Sequence, residues 1–212
     1  MRKTVFIALL GLSILLPAES LYKQATRASL AGEKANAYTL MRKSAQKGNL
    51  HAQVNVGLMY EFAQGTQKDL EKARYWYEKA AEKGDALAAY NMALIYANGK
   101  GTEKNITKAL LWYEKAGKAG SVNAQYRLGN IYTIGKAVKQ DLSKAFYWYK
   151  MAADRGVPVA QYNIGLMFSR GEGVKLNKIM AFDYWMKAAK QSHDEAQKEL
   201  DKLCKESPWA CK

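Results

Sequence analysis

Histidine and cysteine are nearly missing from this chain, with two of each in 212 residues. A multi-histidine metal centre or a zinc ribbon therefore has too few ligands to be built. Proline occurs three times and glycine only 16 times, which excludes collagen-like and proline-rich linker classes. Acidic residues are scarce beside basic ones, 19 against 33, and the formal net charge is +14. What remains is an ordinary globular composition, 49% hydrophobic and 25% charged, too apolar for disorder throughout. The length allows one large domain or a short repeat array.

The first twenty residues stand apart. Arg2 and Lys3 precede an uncharged apolar run from Thr4 to Leu16, and Pro17, Ala18, Glu19 and Ser20 follow. The run falls short of the about 20 residues that a bilayer-spanning helix needs. A positive start, a short apolar stretch and small residues at 18 and 20 read as a secretory signal peptide, residues 1–20, cleaved after Ser20; a buried N-terminal helix is the alternative. No cysteine follows the run, so a lipid anchor is not supported. Export places the protein in the periplasm, or outside the cell where there is no outer membrane, in an oxidising compartment.

The rest of the chain repeats itself. Gly48, Gly84, Gly120 and Gly156 follow at a constant step of 36 residues, and Ser192 takes the next slot. Ala52, Ala88, Ala124, Ala160 and Ala196 keep the step, as do Tyr60, Tyr96, Tyr132 and Phe168. So do Trp76, Trp112, Trp148 and Tyr184, each followed by another aromatic. Each unit reads as two helices. The first runs from about Leu50 to Phe62, with Ala52, Val56, Met59, Tyr60 and Ala63 on one face; the second runs from about Leu70 to Lys83, burying Ala73, Trp76, Tyr77 and Ala80. Asn49, Asp85 and Ser121 precede the first helices, and Asp69, Asn105, Asp141 and Asn177 the second ones, in the slot where a short side chain accepts from orphan backbone N–H groups. Gly57, Gly129 and Gly165, with Ala93 in the second copy, let the paired helix approach closely. One helix pair cannot bury its aromatic face alone, so the units must stack and the ends must be capped. A degenerate leading unit over 21–47, four repeats over 48–191 and a closing helix with a tail over 192–212 are the expected organisation of an all-α chain.

The string Ala52-Gln53, Gly57, Tyr60, Gly65, Asp69, Lys72-Ala73, Trp76-Tyr77, Lys79-Ala80-Ala81 and Gly84 resembles the Sel-one-like repeat, a relative of the tetratricopeptide repeat. The second and fourth copies also carry its loop pair, Gly99/Gly101 and Gly171/Gly173. The first copy departs with Ala63 at the first loop glycine and the third with Ala137 at the second, so those two loops are expected to differ in shape. The resemblance implies a right-handed α-solenoid of 36-residue repeats and a protein-binding adaptor role. Bacterial members include envelope proteins, signalling regulators, and periplasmic immunity proteins that neutralise phospholipase effectors of type VI secretion. Some secreted members with a cysteine pair in every repeat are linked to β-lactam binding, but this chain has one pair, outside the repeats.

Little else points to chemistry. His51 and His193 lie four repeats apart and cannot meet within one chain. Gly129 to Gly135-Lys136 misses the phosphate-loop spacing by one residue and has Ala137 where magnesium would need a hydroxyl. Asn105-Ile-Thr107 is a glycosylation tripeptide, but Asn105 sits in a capping slot. No catalytic residue, metal or cofactor is expected. Cys204 and Cys211, at the end of an exported chain, read as a disulfide adding about 2 kcal/mol and folding the tail, with Trp209, over the end of the solenoid. A redox pair is the alternative, though its usual motif has two intervening residues and this pair has six.

If the first helices line the groove, a helical projection puts His51, Val54, Leu58, Glu61 and Phe62 of the first copy there, with their counterparts, among them Ala97, Asn98, Thr133 and Ile134. Leu58, Tyr90, Leu94, Tyr126, Asn130, Tyr162, Leu166 and Arg170 are the expected partner contacts. Tyrosine and arginine are common interface anchors; the other reading is that the tyrosines pack on the adjacent repeat and show only their hydroxyls. Lys68 and Lys104, Lys100 and Lys136, and Lys139 and Lys175 share slots on the loops, giving a basic edge suited to an acidic protein or an anionic lipid headgroup. Nucleic acid is a poorer fit. The expectation is a non-enzymatic exported binding module, most sharply an immunity protein against a type VI lipase effector; the alternatives are an envelope scaffold or regulator, or a β-lactam- or peptidoglycan-active enzyme.

Overall fold

The computed structural model describes residues 20–211. The assigned signal peptide therefore lies outside the described residues, apart from Ser20. The described residues form eleven helices, a final 3-10 turn and no strand. A leading pair, α1 (Leu21–Leu30) and α2 (Lys34–Gln46), precedes four repeats. These are α3 (Leu50–Glu61) with α4 (Leu70–Ala81), α5 (Ala86–Asn98) with α6 (Ile106–Lys118), α7 (Val122–Ile134) with α8 (Leu142–Asp154), and α9 (Pro158–Arg170) with α10 (Lys178–Ala189). Helix α11 (Asp194–Glu206) and the turn Pro208–Cys211 follow. The main contacts run between helices adjacent in the chain, within each pair and from each pair to the next, as in a solenoid whose units bury one another's faces.

Capping sets the helix starts. Asn49, Asp85 and Ser121 side chains accept from the N–H of Ala52, Ala88 and Ala124 at 2.8, 2.8 and 3.3 Å. The fourth first helix lacks a side-chain cap and begins instead at Pro158, whose ring presets the helical φ. Asp69, Asn105, Asp141 and Asn177 cap the second helices at 2.9 to 3.0 Å. Ser20 caps α1 from the residue just before the expected cleavage point.

Two devices lock the pairs. A β-carbon at Gly57, Gly129 or Gly165 would come within 2.5, 2.4 or 2.3 Å of the facing ring of Tyr77, Tyr149 or Trp185, so the ring occupies the space a side chain would need. Buried Gln53, Gln125 and Gln161 each donate from Nε2 to a carbonyl near the end of the preceding second helix, Ala45, Gly117 and Ala153, at 3.2, 2.9 and 3.2 Å. Each of those carbonyls also accepts the backbone N–H of the glycine three residues on, Gly48, Gly120 and Gly156, so the glutamine takes its second lone pair and ties one repeat to the helix end before it.

The loops correct two expectations. Ala63 does not extend the buried face of the first helix: α3 ends at Glu61, and Ala63 is exposed in a left-handed conformation with φ 55°. The cause is loop closure. Gln64 N–H donates to the Met59 carbonyl at 2.9 Å, the bond that Lys100 makes to Ile95 and Glu172 makes to Met167. The first loop thus keeps its siblings' helix-closing bond despite its alanine, at about 1 kcal/mol of strain. The third loop is the one that changes. At the second glycine slot, a β-carbon on Gly65, Gly101 or Gly173 would meet Lys34 O, Leu70 Cβ or Leu142 O at 2.0, 2.5 or 2.2 Å, since those loops sit directly on the start of the preceding second helix. Ala137 carries that β-carbon and does not take the left-handed conformation, and Lys136 N–H makes no bond to Ile131.

At the C-terminal end, α11 buries Ala196, Leu200 and Leu203 against the last repeat. Lys178 Nζ donates to the buried Ser207 Oγ at 2.7 Å. Trp209, expected to cover the end of the solenoid, is instead 61% exposed; the residue that seats the tail is Ser207. The side chain of Cys211 falls outside the described residues, and with it the expected pairing to Cys204.

Candidate functional site

The eight expected contact residues all lie on the first helices. Leu58, Leu94, Asn130 and Leu166 share one slot, and Tyr90, Tyr126 and Tyr162 another. The tyrosines are half-buried. Tyr90 and Tyr126 tilt against Tyr113 and Tyr149 of their own repeats at ring separations of 5.8 and 5.9 Å, and Tyr162 stacks on His193 at 4.9 Å. The three leucines are likewise half-buried against the core. Only Arg170 is exposed, 3.9 Å from Glu172. Val54, placed on this face by helical projection, is a correction: it is 4% exposed and belongs to the core. The face is a packed ledge of rings and leucines, each showing one side.

Sequence reasoning missed a second row. Tyr75, Leu111 and Tyr147, in one slot of the second helices, are each more than half exposed. The signal was the Tyr-Trp-Tyr triplet at 75–77 and 147–149; periodicity revealed three adjacent rings without saying which one turns outward. Lys79 Nζ lies 5.1 Å from the Tyr75 ring centroid.

The repeats differ in what the ring of each second helix finds to bond. At the first seam, Tyr77 Oη donates to Glu61 Oε2 at 2.9 Å, and Lys100 from the next repeat's loop binds Glu61 Oε1 at 2.9 Å. Burial and the Glu61 charge push the Tyr77 hydroxyl far up. Within the third repeat, Tyr149 Oη donates to Asn130 Oδ1 at 2.6 Å, and burial raises that tyrosine to about 12. In the fourth repeat, Trp185 Nε1 donates to the Tyr162 carbonyl at 3.1 Å. Leu166 and Arg170 border a polar pocket there, shared with Lys178, Glu199, Lys202 and Glu206.

The second seam is open. Leu94, Ala97, Ile106, Leu110, Tyr113, Ile131, Ala137 and Val138 line most of an apolar pocket of about 240 Å³, with Arg127 and Asn98 its only other polar side chains besides Tyr113. Tyr113 has no hydrogen-bond acceptor among the described residues. Its hydroxyl is raised by burial and partly lowered by the charge of Arg127.

The loop lysines Lys68, Lys104, Lys136, Lys139 and Lys175 are exposed, and Lys100 is held by Glu61. Near the N-terminal end, hydrogen bonds involving Tyr60, Arg42 and Thr66 outweigh burial and lower the Tyr38 hydroxyl. Among the described residues no group of three potential ligands could hold a metal ion, and no helix is long and apolar enough to cross a membrane.

Known proteins share this architecture. A protective antigen of uropathogenic Escherichia coli displaying an SLR fold superposes with a TM-score of 0.81 at 28% identity, covering 88% of this chain and 41% of that one. A Sel1 repeat protein from Oxalobacter formigenes gives 0.75 at 34% identity, covering 80% and 49%. The chain thus spans less than half the length of either. An immunity protein from Pseudomonas aeruginosa gives 0.50 at 26% identity, covering 85% and 69%. No curated protein matches the chain in sequence. The Sel1 repeat model matches residues 50–85, 86–121, 122–157 and 158–193, so with four consecutive units over most of its length the chain belongs to the Sel1 repeat family.

Proposed function

We propose that the chain is an exported, non-enzymatic protein-binding module, and more sharply an immunity protein that binds and neutralises a lipase-type effector of type VI secretion in the periplasm. The observation that carries the module reading is the ledge on the first helices, Leu58, Tyr90, Leu94, Tyr126, Asn130, Tyr162, Leu166 and Arg170. It repeats along the solenoid, is held rigid by core packing, and leaves ring and leucine edges in solvent. Pre-ordered aromatic side chains lose little entropy on binding. The likeness to a Pseudomonas aeruginosa immunity protein supports the sharper role. The basic loop edge and the net charge of +14 favour an acidic partner, whose approach would be accelerated and salt-sensitive.

In this reading residues 1–20 are the export leader, 21–47 and 192–212 close the ends of the repeats at 48–191, and Cys204 pairs with Cys211 in the oxidising periplasm. The test is to read the neighbouring gene and, where it encodes a lipase-like protein, to co-express that protein with the chain in the periplasm. Growth should be rescued, and the two proteins should co-elute. Tyr126→Ala with Tyr162→Ala should weaken the complex at least tenfold while the chain still melts cooperatively. No complex and no rescue would dismiss the immunity role in favour of an envelope scaffold. An undiminished complex from the double variant would move the interface elsewhere.

A further inference from the structure

The second seam lacks one carboxylate that the first seam has. Glu61 accepts from the Tyr77 hydroxyl and from Lys100 of the following loop. One repeat later the same three slots hold Ala97, Tyr113 and Lys136. The phenol is retained, its acceptor is replaced by a methyl group, and the lysine stands exposed on the altered loop, outside the pocket lining. Arg127 is the cation that lines the pocket, in the slot of Asn91 and Asn163. Neither Arg127 nor Lys136 has an ion-pair partner among the described residues, and no acidic side chain lines the pocket.

The space below is the work of the same substitutions. Ala137 cannot settle on the start of α6 as Gly65, Gly101 and Gly173 settle on theirs, so Ile106, Leu110 and Val138 stay open to the pocket. Ala93 carries a methyl where the sibling glycines touch the ring, and Tyr113 packs against Tyr90 of α5.

We propose that this pocket is a binding site for a carboxylate joined to an apolar side chain, supplied by an acidic segment of a polypeptide partner, the carboxylate taking the position that Glu61 holds one repeat earlier. Arg127 and the Tyr113 hydroxyl select the acid, and the apolar walls of Leu94, Leu110 and Ile131 select its neighbour. The inference rests on the reading of the chain as a protein-binding module and names the chemistry of one contact within it.

The test titrates the full protein, by residue-resolved NMR, with the peptide N-acetyl-Phe-Glu amide, its Phe-Gln counterpart, and hexanoate. The Glu peptide should shift resonances of α5, α6, α7 and the 135–140 loop. The Gln peptide should bind at least tenfold more weakly, because it removes the charge but keeps the ring. Added salt should weaken only the acid. Ala97→Glu, which copies Glu61, should abolish binding, since the protein then supplies its own acceptor. Leu94→Asn, which copies Asn130 and gives Tyr113 an acceptor, should weaken it and serves where Ala97→Glu does not fold. Shifts elsewhere, equal affinity for both peptides, or undiminished binding to the folded variants would overturn the site. Hexanoate binding as tightly as the Glu peptide would overturn the polypeptide source in favour of a free acid. An Ala97→Glu protein that loses the peptide but still rescues growth removes the pocket from the effector interface and leaves the module reading intact. Peptide binding without rescue keeps the pocket and removes the immunity role.

Discussion

The first and second seams are built from the same slots and close differently. At the first, Glu61 bridges Tyr77 and Lys100, and Gly101 lets the following loop rest on the start of α4. At the second, Ala97 replaces the bridge and Ala137 props the loop away, leaving an apolar pocket. Each change is a matter of one small side chain, yet together they turn a sealed joint into an open one. Helix identity and inter-repeat closure are therefore separable: caps and ring burial fix the first, while the second depends on a few glycines and one acceptor.

The sharpest way to break the contrast is to overfill a sealed pair. Gly129→Ala forces a methyl to 2.4 Å from the Tyr149 ring and should cost about 3 kcal/mol, lowering Tm by about 6–12 °C. Ala93→Gly at the same slot of the open repeat should change stability by about 1 kcal/mol or less. Removing the bridge is the next largest effect. Glu61→Ala leaves the buried Tyr77 hydroxyl without its acceptor and should cost about 2 kcal/mol in denaturant unfolding, whereas Ala97→Glu should stabilise. A smaller gain, about 1 kcal/mol, is expected from Ala63→Gly, because glycine relieves the left-handed strain at φ 55°.

The smallest effect separates repeats one and three from two and four. Asp69 is held below the usual carboxylate range by the Lys72 side chain, and Asp141 chiefly by the Lys144 backbone N–H. Their contribution is full above the unfolded value near pH 4 and is lost as pH falls through the lowered folded values. Asn105 and Asn177 fill the same caps without charge. Asp69→Asn with Asp141→Asn should therefore keep the caps and flatten the acid side of a stability–pH profile; an unchanged profile would assign the acid sensitivity elsewhere.

The 36-residue step made the repeats legible because each helix start carries its own cap and each pair its own ring. Gln53, Gln125 and Gln161 were visible as part of the motif, but their bonds to preceding helix ends needed the stacking to be seen. The pocket was not legible. Ala97 and Ala137 are unremarkable in sequence, and their effect appears only where one repeat's loop meets another repeat's helix. Pattern shows that Tyr90, Tyr126 and Tyr162 share a face and leaves their exposure open, because Tyr113, Tyr149 and His193 decide how much of each ring is covered. Trp209 failed for a related reason, since the tail is seated by Ser207 on Lys178, a contact across 29 residues that no local pattern encodes.

Native-state hydrogen exchange, resolved by residue, tests the difference between the seams most directly. The loop at 135–140 and the first turn of α6 should exchange at least tenfold faster than the loop at 99–104 and the first turn of α4, and Ala97→Glu should narrow the gap. Equal protection at the two seams would contradict it.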